Sequence, residues 1–112
     1  PGEGIGTGYS DILSPIQETL ESSGAEFIYE ERAVALIKNT EGAVIGCRFQ
    51  NMNTGELTDV KANSTVIATG GFAGNGEMVE KYVPRFSPYT NMLNNCMGEG
   101  HLIRAAAGAQ LV

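Results

Sequence analysis

Seven consecutive residues, Val66-Ile67-Ala68-Thr69-Gly70-Gly71-Phe72, carry the clearest chemical signal in the chain. A buried strand that ends in paired glycines brings its backbone close to a ligand at the carboxyl edge of a parallel sheet. Ala68, Gly70 and Gly71 suit that role because a larger side chain would fill the ligand's space. The same residues also suit a tight turn after a strand, and the segment by itself allows both readings. The alternating Gly2, Gly4, Gly6 and Gly8 invite a dinucleotide-binding reading and fail it. No strand precedes them, and their period of two is not the G-x-G-x-x-G spacing. They read as a flexible connection into a helix. Glu30 and Glu31 are adjacent, so in a strand or turn their carboxylates point apart and form no acid/base dyad. His101 is the single histidine. It opens a helical segment and reads as a helix-surface residue rather than a catalytic one.

These residues must be positioned by elements that the periodicity outlines. Ile12, Leu13, Ile16 and Leu20 share one helical face, and Gly24 suits the stop, so a helix is predicted over about 11–23. Ser14-Pro15-Ile16-Gln17 has the form of a capping box with proline at the first helical position. A start at Ser10 or Asp11 would instead place Pro15 about one turn in. A short strand is predicted over 26–29. Strands at 33–38, 44–51 and 57–61 are separated by Asn39-Thr40-Glu41-Gly42 and Asn53-Thr54-Gly55, which is hairpin chemistry, so an antiparallel three-stranded meander follows. A further strand over 64–68 runs into Thr69-Gly70-Gly71. Helices are predicted over 77–82, closed by Pro84, and over 101–107, closed by Gly108. The stretch 84–95 is turn-rich and without period, and 110–112 reads as the possible beginning of a strand.

Composition narrows the classes. The chain of 112 residues has a formal net charge of −6, with seven Lys and Arg that form no cluster. Such a surface repels a phosphodiester backbone, so nucleic-acid binding is not expected. The longest apolar runs, 33–37 and 66–68, are far too short to cross a bilayer. No signal-peptide pattern opens the chain, and a start at Pro1 reads as a cut from something longer. Cys47 and Cys96 lie far apart with no C-x-x-C partner and read as buried free thiols of a reducing compartment such as the cytoplasm. One histidine without a Cys/His/Asp cluster argues against zinc. Fifteen glycines are about double the average usage of roughly 7% and lack a G-X-Y period. They cluster near 2–8, 70–76 and 98–100, where the backbone turns sharply or approaches a ligand.

Read together, Ala68-Thr69-Gly70-Gly71-Phe72, Asn75, Glu77-Met78, Tyr82 and Pro84 resemble the A-T-G-G-F-x-x-N-x-E-M-x-x-x-Y-x-P run of the FAD-dependent fumarate reductase and succinate dehydrogenase flavoproteins. That family includes flavocytochrome c and 3-ketosteroid dehydrogenase. Upstream, the helix, Gly24, the 26–29 segment, 32–37 and Gly42-Ala43-Val44-Ile45-Gly46 follow the family's order. Downstream, Gly98-Glu99-Gly100 and Ala106-Ala107-Gly108-Ala109 resemble its G-D-G-x-x-x-A-x-x-A-G-A segment. The resemblance spans nearly the whole chain.

It implies an α/β fold, a fragment of a Rossmann-like FAD-binding domain carrying an antiparallel three-stranded β-meander at about 33–61. Residues 1–112 would form one partial FAD-binding domain, its last segment, about 90–112, leading toward the substrate or capping region. FAD is the implied cofactor of a parent oxidoreductase, with the remainder of the flavoprotein chain and a small-molecule substrate as partners. The backbone at Ala33 would meet the adenine, and Ala68, Thr69, Gly70 and Gly71 would line the cofactor's passage across the sheet end. Gly98 and Glu99 match the family's G-D-G, whose Asp contacts FAD; Glu99 departs from it by one methylene. Asn94-Asn95-Cys96-Met97 departs too, replacing a small A-T-containing lead. The family's dinucleotide fingerprint falls upstream of Pro1 and its substrate-binding residues beyond Val112. No catalytic residue is therefore expected here, and the fragment alone would be inactive. None of Arg32, Arg48, Arg85 or Arg104 aligns with the family's catalytic arginines, so each reads as a solvated or ion-paired surface residue. An α,β-unsaturated acid such as fumarate is the implied acceptor, with a ketosteroid as alternative. The competing class is a non-enzymatic α/β module whose glycine-rich turns merely connect elements.

Overall fold

The computed structural model describes residues 8–89 and 95–110. Helix α1 runs Gly8–Ser22 with Pro15 inside it. Its start precedes every start read from the sequence, so Ser14 is no N-cap and Pro15 sits about two turns in. The C-terminus forms as expected. Gly24 adopts φ +90°, its N–H reaches Glu21 O at 3.0 Å, and Ala25 N–H reaches Leu20 O at 2.9 Å. That pair of bonds satisfies the last carbonyls in a Schellman motif.

The meander is the best-formed unit. β1 (Glu31–Lys38), β2 (Val44–Asn51) and β3 (Leu57–Lys61) lie in the order β1-β2-β3, all antiparallel. β1 starts two residues before the predicted 33, because Glu31 pairs with Asn51 and Arg32 with Gln50. Two asparagines build the turns. Asn39 Oδ1 accepts from the N–H groups of Glu41 and Ala43, and Asn51 Oδ1 accepts from those of Asn53 and Thr54. Gly42 and Gly55 supply the positive φ at the turn ends. Arg48 and Asp59, opposite each other in register, form a two-pronged ion pair at 2.6 and 2.8 Å.

The segments 26–29 and 64–68 were predicted as strands and are not strands here. A strand exists only through a ladder of hydrogen bonds to a neighbour, and neither segment has one among the described residues. The 26–29 segment is held by side chains instead. Phe27 stacks on Tyr29 at 6.3 Å, and Tyr29 Oη accepts from Gln17 Nε2 of α1 at 3.1 Å.

α2 (Gly76–Tyr82) begins where Asn75 Oδ1 accepts from Met78 N–H at 3.1 Å. Pro84 opens a short 3₁₀ segment, Pro84–Tyr89, within the stretch read as turn-rich; residues 90–94 of that stretch lie outside the described residues, as do 111 and 112 of the expected terminal strand. α3 (Glu99–Ala106) follows Gly98 in the left-handed region and ends at Gly108, φ +103°, in a second Schellman motif made by the Gly108 and Ala109 N–H groups. Lys38 Nζ donates to Ala107 O at 3.1 Å, tying the end of α3 to β1. Both cysteines are free; Cys47 is buried as expected, whereas Cys96 is only half-buried.

The apolar side chains buried among the described residues are Cys47, Met78 and Val79. The apolar face of α1 stays open, with Ile12 64% exposed. The Cα radius of gyration is 17.5 Å, against about 13 Å for a compact chain of this length. The fold therefore consists of a fully paired meander with α3 across β1, and α2 packed beneath the start of α3.

Candidate cofactor site

The sequence directly before α3 is drawn onto the glycine loop by hydrogen bonds to its carbonyls. Gly74 N–H donates to Cys96 O at 2.9 Å, and Asn75 Nδ2 donates to Met97 O at 3.0 Å. Asn75 thus starts α2 and anchors the approach to α3 with one side chain. Gly98 and Gly100 are both buried. A Cβ on Gly98 would lie 2.5 Å from Met78 Sδ and 2.7 Å from Phe72 Cβ. A Cβ on Gly100 would collide with Thr69 Oγ1 and stand 2.9 Å from Ile67 Cγ2. The G-x-G spacing lets the first turn of α3 press against the segment ending in Thr69.

The result is a cleft of about 290 Å³ between β1, the Thr69 loop and the N-terminus of α3. Its walls include Ala33, Thr69, Gly98 and Glu99, all singled out in the sequence, together with Glu31 and Arg32. Ala68, Gly70 and Gly71 do not line it; they flank it along the chain. Gly70 adopts φ +77°, and its Cβ position would lie 4.0 Å from Cys96 Sγ. A Cβ on Gly71 would meet nothing within 4 Å. Beside Ala33, the register slips between Ala33 and Ala35, a bulge of the kind that re-aims groups at the end of a strand.

Two charged features of the cleft were not read from the sequence. Arg32 Nε lies 3.5 Å from Glu99 Oε1, an exposed pair that links β1 to α3 across the opening. The departure from the family's Asp is accommodated in this way: the longer side chain reaches the arginine. Glu31 Oε1 accepts from Asn51 Nδ2 at 2.9 Å, while its Oε2 is buried without a partner. An unanswered carboxylate oxygen at a cleft wall suits a ligand that donates hydroxyl or amine hydrogens. Sequence spacing could not reveal this, because the role depends on Asn51 lying opposite across the sheet.

Arg32 and Arg48 are ion-paired as expected, and Arg85 lies 5.1 Å from the Phe86 ring. Arg104 departs from expectation: it is half-buried, with its Nε enclosed. His101 is likewise half-buried, its ring edge-on to Phe72 at 5.2 Å. Burial raises the Cys47 thiol above its usual pKa, which makes it a packing residue rather than a nucleophile.

A glycine-lined cleft at the start of a helix, beside a strand end, is an arrangement that nucleotide-cofactor domains use. The family model for the FAD binding domain matches residues 3–112, and the chain belongs to that family; the family's cofactor is FAD. Among curated relatives, the urocanate reductase of Eggerthella lenta is 31% identical over 128 residues, covering 100% of this chain and 21% of the relative. The succinate dehydrogenase flavoprotein subunit of Coxiella burnetii is 32% identical, covering 93% of this chain and 16% of the relative. In structure, the open conformation of a flavocytochrome c3 fumarate reductase superposes with a TM-score of 0.76 at 26% identity, covering 96% of this chain and 19% of that one. The 3-ketosteroid-Δ4-(5α)-dehydrogenase of Rhodococcus jostii RHA1 gives 0.75 at 29%, covering 88% of this chain and 20% of that one. The chain spans about a fifth of the length of the relatives it matches.

Proposed function

We propose that this chain forms part of the FAD-binding domain of a flavoprotein reductase that acts on an α,β-unsaturated carboxylic acid. One observation carries the cofactor reading: Ala33, Thr69 and the Gly98-Glu99 pair, from three separate stretches of sequence, line one cleft; the acceptor is inferred from the likeness to the urocanate and fumarate reductases. Ala33 offers backbone groups to the adenine, and Glu31 Oε2 accepts from a hydroxyl or amine of the adenosine. Thr69 would border the cofactor's passage, and Gly98 and Gly100 let the first turn of α3 pack closely enough on the Thr69 segment to form that wall. Glu99, held by Arg32, borders the opening. FAD when bound supplies the electron and hydride chemistry; these residues position it and exclude water. The cleft's volume is at the small end of ligand sites, so it takes only one portion of so large a cofactor. The final segment, about 90–112, leads toward the substrate-binding region.

The test is made on the full-length protein. It purifies with one FAD per chain and oxidises a reduced viologen dye when fumarate or another α,β-unsaturated acid is added. Purification without flavin would defeat the cofactor reading and favour the non-enzymatic module. Flavin with turnover only on a 3-ketosteroid would transfer the protein to the second reading, which rests on the likeness to the ketosteroid enzyme.

A further inference from the structure

A second cleft, of about 430 Å³, lies between α2 and α3. Its lining includes Phe72, Lys81, Tyr82, His101, Arg104 and Gln110, and among the described residues no carboxylate lines it. Two nitrogen atoms of this lining, Arg104 Nε and His101 Nδ1, are buried without a hydrogen-bond partner. They stand three residues apart on α3, hence on one face of the helix. An arginine Nε–H can only donate, and a buried donor left unanswered in a native protein signals an absent acceptor. Among the described residues Arg104 makes no ion pair. Lys81, whose Nζ lies 5.1 Å from the Tyr82 ring centroid, brings a second positive charge to the same lining. Within a segment of net charge −6, a cavity whose charged side chains among the described residues, Lys81 and Arg104, are both cations suits an anion.

The remaining walls narrow the anion's chemistry. Phe72 meets His101 edge-on at 5.2 Å and Tyr82 at 6.1 Å, forming an aromatic wall that also holds the imidazole in orientation. Such a surface favours an anion with a flat or apolar body over an inorganic one. A carboxylate matches the donor edge of a guanidinium better than a spherical ion does. We propose that this cleft is a carboxylate-binding site in which Arg104 Nε–H donates to the carboxylate, Lys81 adds charge, and Phe72 and Tyr82 cover the organic portion. The carboxylate arrives either as a free organic acid or as an acidic side chain from the remainder of the flavoprotein. The assignment goes beyond the flavin reading and does not depend on the substrate proposed above.

The experiment uses the full-length protein with benzoate as probe, followed by thermal midpoint and by the visible flavin spectrum. Wild type, Arg104→Gln and Arg104→Lys are compared. For a free organic acid, benzoate raises the wild-type midpoint saturably without perturbing the flavin bands, and Arg104→Gln weakens its binding at least tenfold. For an internal carboxylate, benzoate has no such effect, whereas Arg104→Gln lowers the midpoint by several degrees and Arg104→Lys recovers part of the loss. Either outcome supports the site. A wild type indifferent to benzoate, with Arg104→Gln melting like wild type, overturns it. So does a benzoate response that Arg104→Gln leaves intact. Should the Gln variant not fold, Arg104→Lys decides alone: where wild type binds benzoate, unchanged affinity overturns the site, and where it does not, an unchanged midpoint overturns it. Absence of flavin bands would defeat the proposed function while leaving this comparison readable.

Discussion

Gly70 occupies the left-handed region at φ +77°, whereas Gly71 does not, and a Cβ on Gly71 would meet nothing within 4 Å. The two glycines therefore predict different outcomes for the same change. The Cβ added by Gly71→Val meets no atom among the described residues, so the change is expected to leave the thermal midpoint of the full-length protein within about a degree of wild type and, if the cofactor passes this loop beside the cleft as proposed, to remove flavin. Gly70→Val loses flavin and also lowers the midpoint, since a branched residue at positive φ costs about 1–3 kcal/mol. Flavin stoichiometry and melting on the same preparations check both, and full occupancy in Gly71→Val would make this loop a simple turn. The Arg48–Asp59 pair gives a pH prediction. The hydrogen bond from Arg48 chiefly holds the Asp59 carboxyl below its ordinary value, against an opposing effect of burial. A depressed folded-state pKa means that the contribution is present above the unfolded value, about 3.9, and fades as pH falls through the folded one. The difference in midpoint between wild type and Asp59→Asn is therefore expected at neutral pH, to shrink as pH falls below the ordinary carboxylate value of about 3.9, and to be reduced by salt because both side chains are exposed. A pH-independent difference would contradict it.

Among the elements, the meander concentrates local contacts behind two short asparagine turns. Asn51 is its busiest side chain: Oδ1 accepts from two backbone N–H groups, and Nδ2 donates to Glu31. Asn51→Ala removes all three bonds and leaves Glu31 without a donor. The expected cost is about 1–3 kcal/mol in denaturant unfolding, more than for Asn39→Ala, whose side chain answers only two exposed turn amides. Equal costs would mean that the Glu31 link carries no weight. Hydrogen exchange should rank the elements in the same way. Val44–Asn51 is paired on both edges and should exchange slowest, with the 3₁₀ segment Pro84–Tyr89 far faster. Comparable rates in the two would contradict the ranking.

For the molecule as a whole, a chain with an exposed apolar helix face and a radius of gyration of 17.5 Å lacks the burial of a finished domain. The 112-residue chain expressed alone should bind a hydrophobic dye such as ANS and should not retain FAD, since its cleft encloses only part of such a ligand. A dissociation constant for FAD below about 10 μM, roughly −7 kcal/mol, measured by fluorescence titration, would overturn this expectation.

Local chemistry alone determined a large part of this structure. The meander, its two turns and the glycine ends of α1 and α3 were legible because each depends on residues within a few positions of one another. Membership of the flavoprotein family was legible for a related reason: a glycine loop and its following helix cap occupy one continuous run of sequence. The start of α1 was misread, since apolar periodicity and a proline set no sharp limit on where a helix begins. The segments 26–29 and 64–68 were read as strands from their apolar character, yet a strand requires neighbours that composition does not name. Only the tertiary structure decided that Ala33, Thr69, Gly98 and Glu99 share a cleft, that Arg32 meets Glu99, and that Arg104 turns a buried donor toward a cavity. Each of those facts joins residues distant along the chain, and spacing in a sequence carries no measure of distance across a fold.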